Sequence, residues 1–487
     1  MHDTASLSRS SPARPRVMRT GVASAVFATL WLATSPPCAS AQGTTATLPS
    51  PLTLDDALRF AADHYPSLRV AVEAITAATA NVEVTRTAYL PRLDALWQSN
   101  RGTVNNITGP LLPQAVVPPI SGPPLATTSA SSVWGSAAGM LLTWEPFDLG
   151  LRGASVQEAE AAVTRARAGQ ALTRLQVQQA VGAAYLSVMA ARQAAVAAGA
   201  DVARREVLAR TARTLADAQL RPGAEAARAE AERAAAHTRL IQARQTVLVA
   251  EALLSRTLGT DLAPTLAEHQ ALLTRLPADT PAAADTTTHP LLQVQQAAVD
   301  LAASRDAVLA ASFRPRFLLQ GSTSARGSGA GPDGGLEGGT SGLWLDRVNW
   351  AAGVQVVFPN LFDVVGIRAR RQAATATARA EQARLDEQRL ALTAEQRAAE
   401  AFVQAAREIA RNMPVQLEAA RTSEAQARAR FEAGLASIVE VADSQALLAT
   451  AEYQEAASRV DVWRALLGRA VAFDTMDAFI ALVRGRE

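Results

Sequence analysis

Apolar residues change their spacing along the chain in a fixed order, and that order occurs twice. From Leu52 to Ala88 they recur every three or four positions, which predicts helix. Thr53 and Asp56 make a capping box for a short first helix, and Pro66 opens a second one of about 22 residues ending at Ala88. The period then drops to two. Tyr89, Pro91, Leu93, Ala95 and Trp97 alternate with Arg92, Asp94, Gln98 and Asn100; beyond a polar Gly/Pro-rich loop, Trp134, Ala138, Met140, Leu142 and Trp144 alternate again. Two amphipathic strands are predicted, at about 89–100 and 132–146. Helical spacing resumes over 148–219, with Val177, Val181, Tyr185 and Val188 on one stripe, and a turn at Gly223 leads to a return helix over 224–258. The longer run would extend roughly 100 Å at the α-helical rise.

The second half answers the first. Pro290 matches Pro66, and Phe313-Arg314-Pro315-Arg316-Phe317 matches Tyr89 to Leu93, both at a separation of 224 residues. Phe362-Asp363-Val364 matches Phe147-Asp148-Leu149 at 215, and Phe431-Glu432-Ala433-Gly434 is matched to Leu220-Arg221-Pro222-Gly223 at 211. Four anchors in one order indicate a tandem duplication. The chain accordingly divides into a leader (1–41), a first repeat (42–286), a second repeat (287–475) and a tail (476–487). The second repeat is expected to hold strands at 313–325 and 348–359 and long helices at 364–430 and 436–472. Seven-residue steps mark the first of these helices, Leu385–Leu392–Ala399 and Phe402–Ile409, as a coiled-coil seam. Its Gly-rich loop, Arg326 to Asp346, lacks the lysine, the hydroxyl terminus and the βαβ setting of a phosphate-binding loop.

Composition supports extended helices: alanine, arginine, glutamine, glutamate and leucine dominate long stretches, and aromatics are 5%. The leader has the form of an export signal, with Arg14, Arg16 and Arg19 before an apolar core from Val22 to Ala33 and Ala39-Ser40-Ala41 as the cleavage site; Met18 is an alternative start. Its core is shorter than the ~18 residues a membrane helix needs. Loss of the leader takes the formal charge from +2 to −1, so the basic balance of the whole chain carries no implication of nucleic acid. Cys38, the single cysteine, falls within the leader behind Pro36-Pro37, a poor lipoprotein box, and the remainder has no disulfide or thiol chemistry. No later apolar run looks long enough for a membrane helix, so membrane entry would be as a β-barrel. Four strands fall short of the roughly eight that close one, so several copies must share it. Trp97, Trp134, Trp144, Trp344 and Trp350 cluster in or beside the strands, as in an aromatic girdle. A soluble β-core is the competing reading, against which stand the polar alternate faces suited to a water-filled lumen.

Candidate chemistry is sparse. His64, His237, His269 and His289 have no metal-ligand spacing, no nucleophile is placed beside a base, and Asp55-Asp56 are explained by the helix start they occupy. No enzyme activity, catalytic residue, metal or cofactor is implied.

The signal, the duplicated order and four motifs together resemble the TolC family of outer-membrane efflux proteins over essentially the whole mature chain. The motifs are Leu52-Thr53-Leu54-Asp55-Asp56-Ala57-Leu58, Tyr89-Leu90-Pro91-Arg92-Leu93, Phe147-Asp148-Leu149-Gly150, and the stretch from Arg430 through Gly434 and Ser437 to Val441. The resemblance implies a mainly α fold with a small β part: a homotrimer whose 12-stranded barrel, four strands per chain, lies in outer-membrane lipid and continues into a coiled-coil tunnel across the periplasm. The helical tips would dock a periplasmic adaptor that serves an inner-membrane transporter. Candidate docking residues are Arg221, Pro222, Gly223, Ala224 and Glu225 at the first tip and Phe431, Glu432, Gly434, Leu435 and Ser437 at the second. Gly223 and Gly434 would take the left-handed turn conformation; the first tip departs from the family pattern in having no hydroxyl residue after its glycine. Glu424 and Arg428 are candidate residues of a periplasmic gate, a solvated helix face being the alternative. A periplasmic adaptor is the rival reading, but adaptors nest their hairpins between β-domains, whereas this chain repeats in tandem. The cargo, drug, metal ion or polypeptide, is not legible.

Overall fold

The computed structural model describes residues 48–105, 112–118, 124, 126–266, 276–277, 288–331, 335–337, 339–359, 362 and 364–485; the leader with its cleavage site, Cys38 and His269 lie outside the described residues. Elements follow in the order α1 (Leu54–His64), α2 (Pro66–Arg86), β1 (Arg92–Thr103), β2 (Ser132–Phe147), α3 (Leu151–Asp217), α4 (Gly223–Leu258), α5 (Pro290–Ala311), β3 (Arg316–Ser328), β4 (Arg347–Val357), α6 (Val364–Glu432), α7 (Ile438–Ala472) and α8 (Met476–Arg484). Local signals set the starts. The Thr53 hydroxyl oxygen accepts from the Asp56 N–H at 3.1 Å to cap α1, and α2 and α5 both open on proline, the latter with the His289 ring accepting from Leu291 N–H. The first strand begins at Arg92 rather than Tyr89. Thr87–Tyr89 winds on as a 3₁₀ turn, Pro91 has no N–H to give a ladder, and the Tyr89 carbonyl accepts from the Trp144 indole at 3.1 Å.

The strands form one antiparallel sheet in the order β1-β2-β3-β4, leaving β1 and β4 as open edges. Residues directly opposite in an antiparallel ladder share a face, so the register sorts the sheet into two surfaces. One carries the rows Leu93–Leu142–Gly321–Ala352, Ala95–Met140–Thr323–Trp350 and Trp97–Ala138–Ala325–Val348. Its large apolar side chains, Leu93, Trp97, Met140, Val348, Trp350 and Val354, are exposed. The other carries Arg92–Thr143–Gln320–Gly353, Asp94–Leu141–Ser322–Ala351 and Gln98–Ala137–Arg326–Arg347. The two-residue alternation therefore separates an apolar from a polar face. The tryptophans do not all fall at strand ends, as a simple girdle would have them: Trp134, Trp144 and Trp350 are within four residues of an end, but Trp97 lies in the middle of its strand.

The long helices α3 and α6 run for 67 and 69 residues, the latter through Pro414. Near the strands each packs against a short helix, as the Arg86–Glu160 and Arg371–Asp306 ion pairs show; farther along each packs against its return helix, where Arg192 meets Glu251 and Gln416 meets Gln454. Two heptad rows of α6 are buried: Leu385, Leu392, Ala399, Ala420 and Ala427 on one, and Gln396, Val403, Ala410, Leu417, Glu424 and Phe431 on the other. Phe402 and Ile409, expected in the seam, instead project from it and are exposed. Between the two hairpins, Arg204 of α3 holds Glu452 of α7 through two hydrogen bonds of 2.8 and 3.2 Å. Contrary to the reading of the sequence, one stretch of α3 is long and apolar enough to cross a membrane by composition. Alanine accounts for it: the residue scores as apolar, yet here it lets α3 lie close to α1, α2, α4, α5 and α7 at once.

The largest fully buried side chains of the core include Tyr185, Trp463, Leu52, Leu254 and Leu258, with the Tyr185 hydroxyl donating to the Leu52 carbonyl. The final residues, read from the sequence only as a tail, form α8 and close this core: Phe479 meets Trp463 edge to face at 6.2 Å, and Arg484 grips both Asp55 carboxylate oxygens at 2.9 Å. Asp55 thus ties the first helix to the last, in addition to standing at a helix start.

Candidate functional site

Three regions carry the features singled out in the sequence: the two hairpin tips, the junction between strands and helices, and the sheet itself. At the second tip, α6 ends with Leu435 N–H donating to the Arg430 carbonyl (2.8 Å) and Gly434 N–H to that of Phe431 (3.0 Å), a Schellman turn whose left-handed residue is Gly434, φ +78°. Ser437 then caps α7 by accepting from Glu440 N–H. At the first tip the same turn is made by Leu220 N–H to the Leu215 carbonyl and Gln219 N–H to that of Ala216, both 2.9 Å, and the left-handed residue is Gln219, φ +59°.

Gly223 therefore does not hold the position assigned to it; it is the first residue of α4, behind Pro222. The correct pairing is Gln219 with Gly434, a separation of 215 rather than 211. Phe147 and Phe362 stand at the same separation, as do the left-handed residues Gly259 and Asp474 that close α4 and α7. From the end of the sheet to the end of the return helix, the repeats match without insertion. A glycine-to-glycine match concealed this, because the first repeat uses glutamine where the second uses glycine.

Burial divides the candidate docking residues. Pro222, Gly223, Ala224, Glu432, Gly434, Leu435 and Ser437 are exposed, while Arg221 and Glu225 are half-buried and paired at 3.7 Å. Phe431 is not available for docking: it is 2% exposed, inside a cluster with Leu208, Ala212, Ala229, Ile438 and Val441. Arg221 covers its ring at 5.3 Å and donates to the Ala436 carbonyl, so the two tips are joined by this arginine and aromatic. The sequence reading missed Leu220. It is the 215-residue counterpart of Leu435, and the two are 71% and 72% exposed.

The gate candidates also separate. Glu424 occupies a heptad core position and is buried facing Gln445 at 3.4 Å, which removes it from any open lumen; the signal for this was present in sevens counted back from Phe431. Arg428 is on the surface, paired with Glu432 one turn on at 3.4 Å.

At the junction, Asp148 follows β2 and accepts from the N–H groups of Gly150 and Arg152 and from the Arg152 guanidinium. Burial works to raise the pKa of this carboxyl, but these donors outweigh it and hold it below its ordinary value. Arg152 also donates to the Ala88 carbonyl and stacks over Tyr89 at 4.7 Å, while Arg316 makes a two-pronged bond to Glu145 at 2.6 and 2.7 Å. The strands are thereby clamped to the helix that leaves them.

A family model described as outer membrane efflux protein matches residues 58–260 and 287–468. No curated protein matches. Among solved structures, the Campylobacter jejuni CmeC outer membrane channel is similar with a TM-score of 0.72 at 15% identity, covering 89% of this chain and 90% of that one. The outer membrane protein VceC of Vibrio cholerae gives 0.67 at 16%, covering 86% and 95%. The open state of the Neisseria gonorrhoeae MtrE outer membrane channel gives 0.65 at 18%, covering 87% and 90%.

Proposed function

The chain belongs to the outer membrane efflux protein family, and from that premise we propose that three copies join their sheets edge to edge into a 12-stranded barrel and conduct cargo passively through it. The observation that carries this is the sheet: four strands, one apolar and one polar face, and an unpaired ladder along each edge. In lipid each unpaired backbone group costs several kcal/mol, and β1 of one copy against β4 of the next removes all of them. The apolar face then meets lipid and the polar face lines water. The α3/α4 and α6/α7 hairpins extend the wall into the periplasm, and their tips meet a periplasmic adaptor through Leu220 and Leu435 with Arg221, Pro222, Gly223, Ala224, Glu225, Glu432, Gly434 and Ser437 around them. Arg428 is the remaining gate candidate. An adaptor identity for this chain has no use for a sheet with an exposed tryptophan face.

The test is electrical. Purified protein added to a planar lipid bilayer is expected to give uniform stepwise conductance increments that persist without any pump or nucleotide; a protein that binds the bilayer without conducting would overturn the proposal.

A further inference from the structure

The charges on the polar face of the sheet are unequally matched. Arg92 pairs with Asp94 at 3.0 Å, and Arg316 with Glu145. Two arginines are left over. Arg326 and Arg347 stand directly opposite each other in the β3–β4 ladder, which places their Cα atoms about 5 Å apart, and among the described residues no carboxylate lies within ion-pair distance of either. Like charges set opposite one another in a sheet are unfavourable, so the pairing needs a reason other than stability. In the same row, Gln98 has a side-chain Nε2 that is shut off from solvent and has no acceptor. The row Gln98–Ala137–Arg326–Arg347 thus sets two guanidinium groups with no carboxylate partner beside an amide donor with no acceptor. One row below, Val117 lies against Gly139, held there by the Gln114 side-chain oxygen, which accepts from the Val116 and Val117 N–H groups. This segment, 112–118, has no charged residue and so brings no counter-charge to the polar face.

We propose that Arg326 and Arg347 are the charge filter of the duct, repeated in each copy around the lumen, and that they make it prefer anionic cargo. The inference rests on the duct reading above. Rings of arginine select anions in pores because a narrow, low-dielectric wall focuses their field on the passing ion. The reach of that field is set by salt: about 10 Å at 0.1 M and about 3 Å at 1 M ionic strength. The preference is therefore strong in dilute salt and fades in concentrated salt.

The experiment is the zero-current potential of the full-length protein in a planar bilayer under a potassium chloride gradient. Chloride is expected to be more permeant than potassium, with the double variant R326Q/R347Q lowering the permeability ratio at least about threefold in dilute salt. R326K/R347K keeps the ratio because it keeps the charge, and R92Q/D94N keeps it because it removes a neutral pair. Arg347 is the more exposed of the two, so R347Q alone gives an intermediate ratio even if the double variant fails to assemble. Cation preference in the wild type, or a ratio that none of the glutamine variants moves, overturns the filter and leaves the duct standing. Absence of channels from the wild type overturns the duct, and the filter with it.

Discussion

Gln219 and Gly434 do the same work with unequal ease. Both sit where a long helix reverses, both have positive φ, and the turn around them is hydrogen-bonded in the same way. A side chain in the left-handed region costs on the order of 1 kcal/mol, which glycine avoids. Gln219→Gly is therefore expected to stabilise the first hairpin by about 0.5–1 kcal/mol, and Gly434→Ala to destabilise the second by about 1 kcal/mol or more. Space does not confuse the comparison, since a Cβ at Gly434 would touch nothing within 4 Å. Thermal unfolding of the two variants in detergent measures it; no shift in either would show that the turns are set by packing around Phe431 instead.

At the scale of elements, the hairpins present an apolar residue where a soluble helix end would present a polar one. Leu220 and Leu435 follow the left-handed residue in each turn and are about equally exposed. Replacing both with glutamate is expected to abolish pump-dependent efflux in cells while leaving conductance in bilayers unchanged; efflux at the wild-type level would remove the tips from docking. The residues that set the elements were largely legible: period-two alternation separated the faces of the sheet, and Thr53, Pro66 and Pro290 marked helix starts. The tip geometry was less so. Residue type points to Gly223, because nothing in glutamine announces a left-handed backbone at Gln219, whereas the constant separation set by Phe147 and Phe362 does. A motif at Phe431 and a charge at Glu424 suggest surface contact, yet the heptad that buries Leu417 also buries both. The helix α8 was invisible as a core element because its partners, Asp55 and Trp463, are far away in sequence, and periodicity reports only local order.

For the whole molecule, the decisive physical fact is that one copy is incomplete. Its sheet ends in two open ladders at β1 and β4, every residue of β4 but the last is exposed, and Trp350 and Val354 are 81% and 73% exposed on it. Phe402 and Ile409 likewise stand open on α6, beside a groove lined by Ala398, Ala405, Ala465 and Gly468. Small residues beside large apolar ones are what close helix contact requires, so this side of α6 is left uncovered as the edge of the sheet is. A barrel shared by three copies, as proposed above, would cover both, since α6 follows β4 directly in the chain. The native mass in mild detergent should therefore be about three subunits once the detergent belt is subtracted, as expected of a closed membrane barrel. Phe402→Glu with Ile409→Glu should weaken that assembly without unfolding the hairpin, because neither side chain belongs to the buried seam. A monomer that keeps its strands and conducts would contradict the edge-to-edge barrel, because four strands alone cannot enclose a lumen.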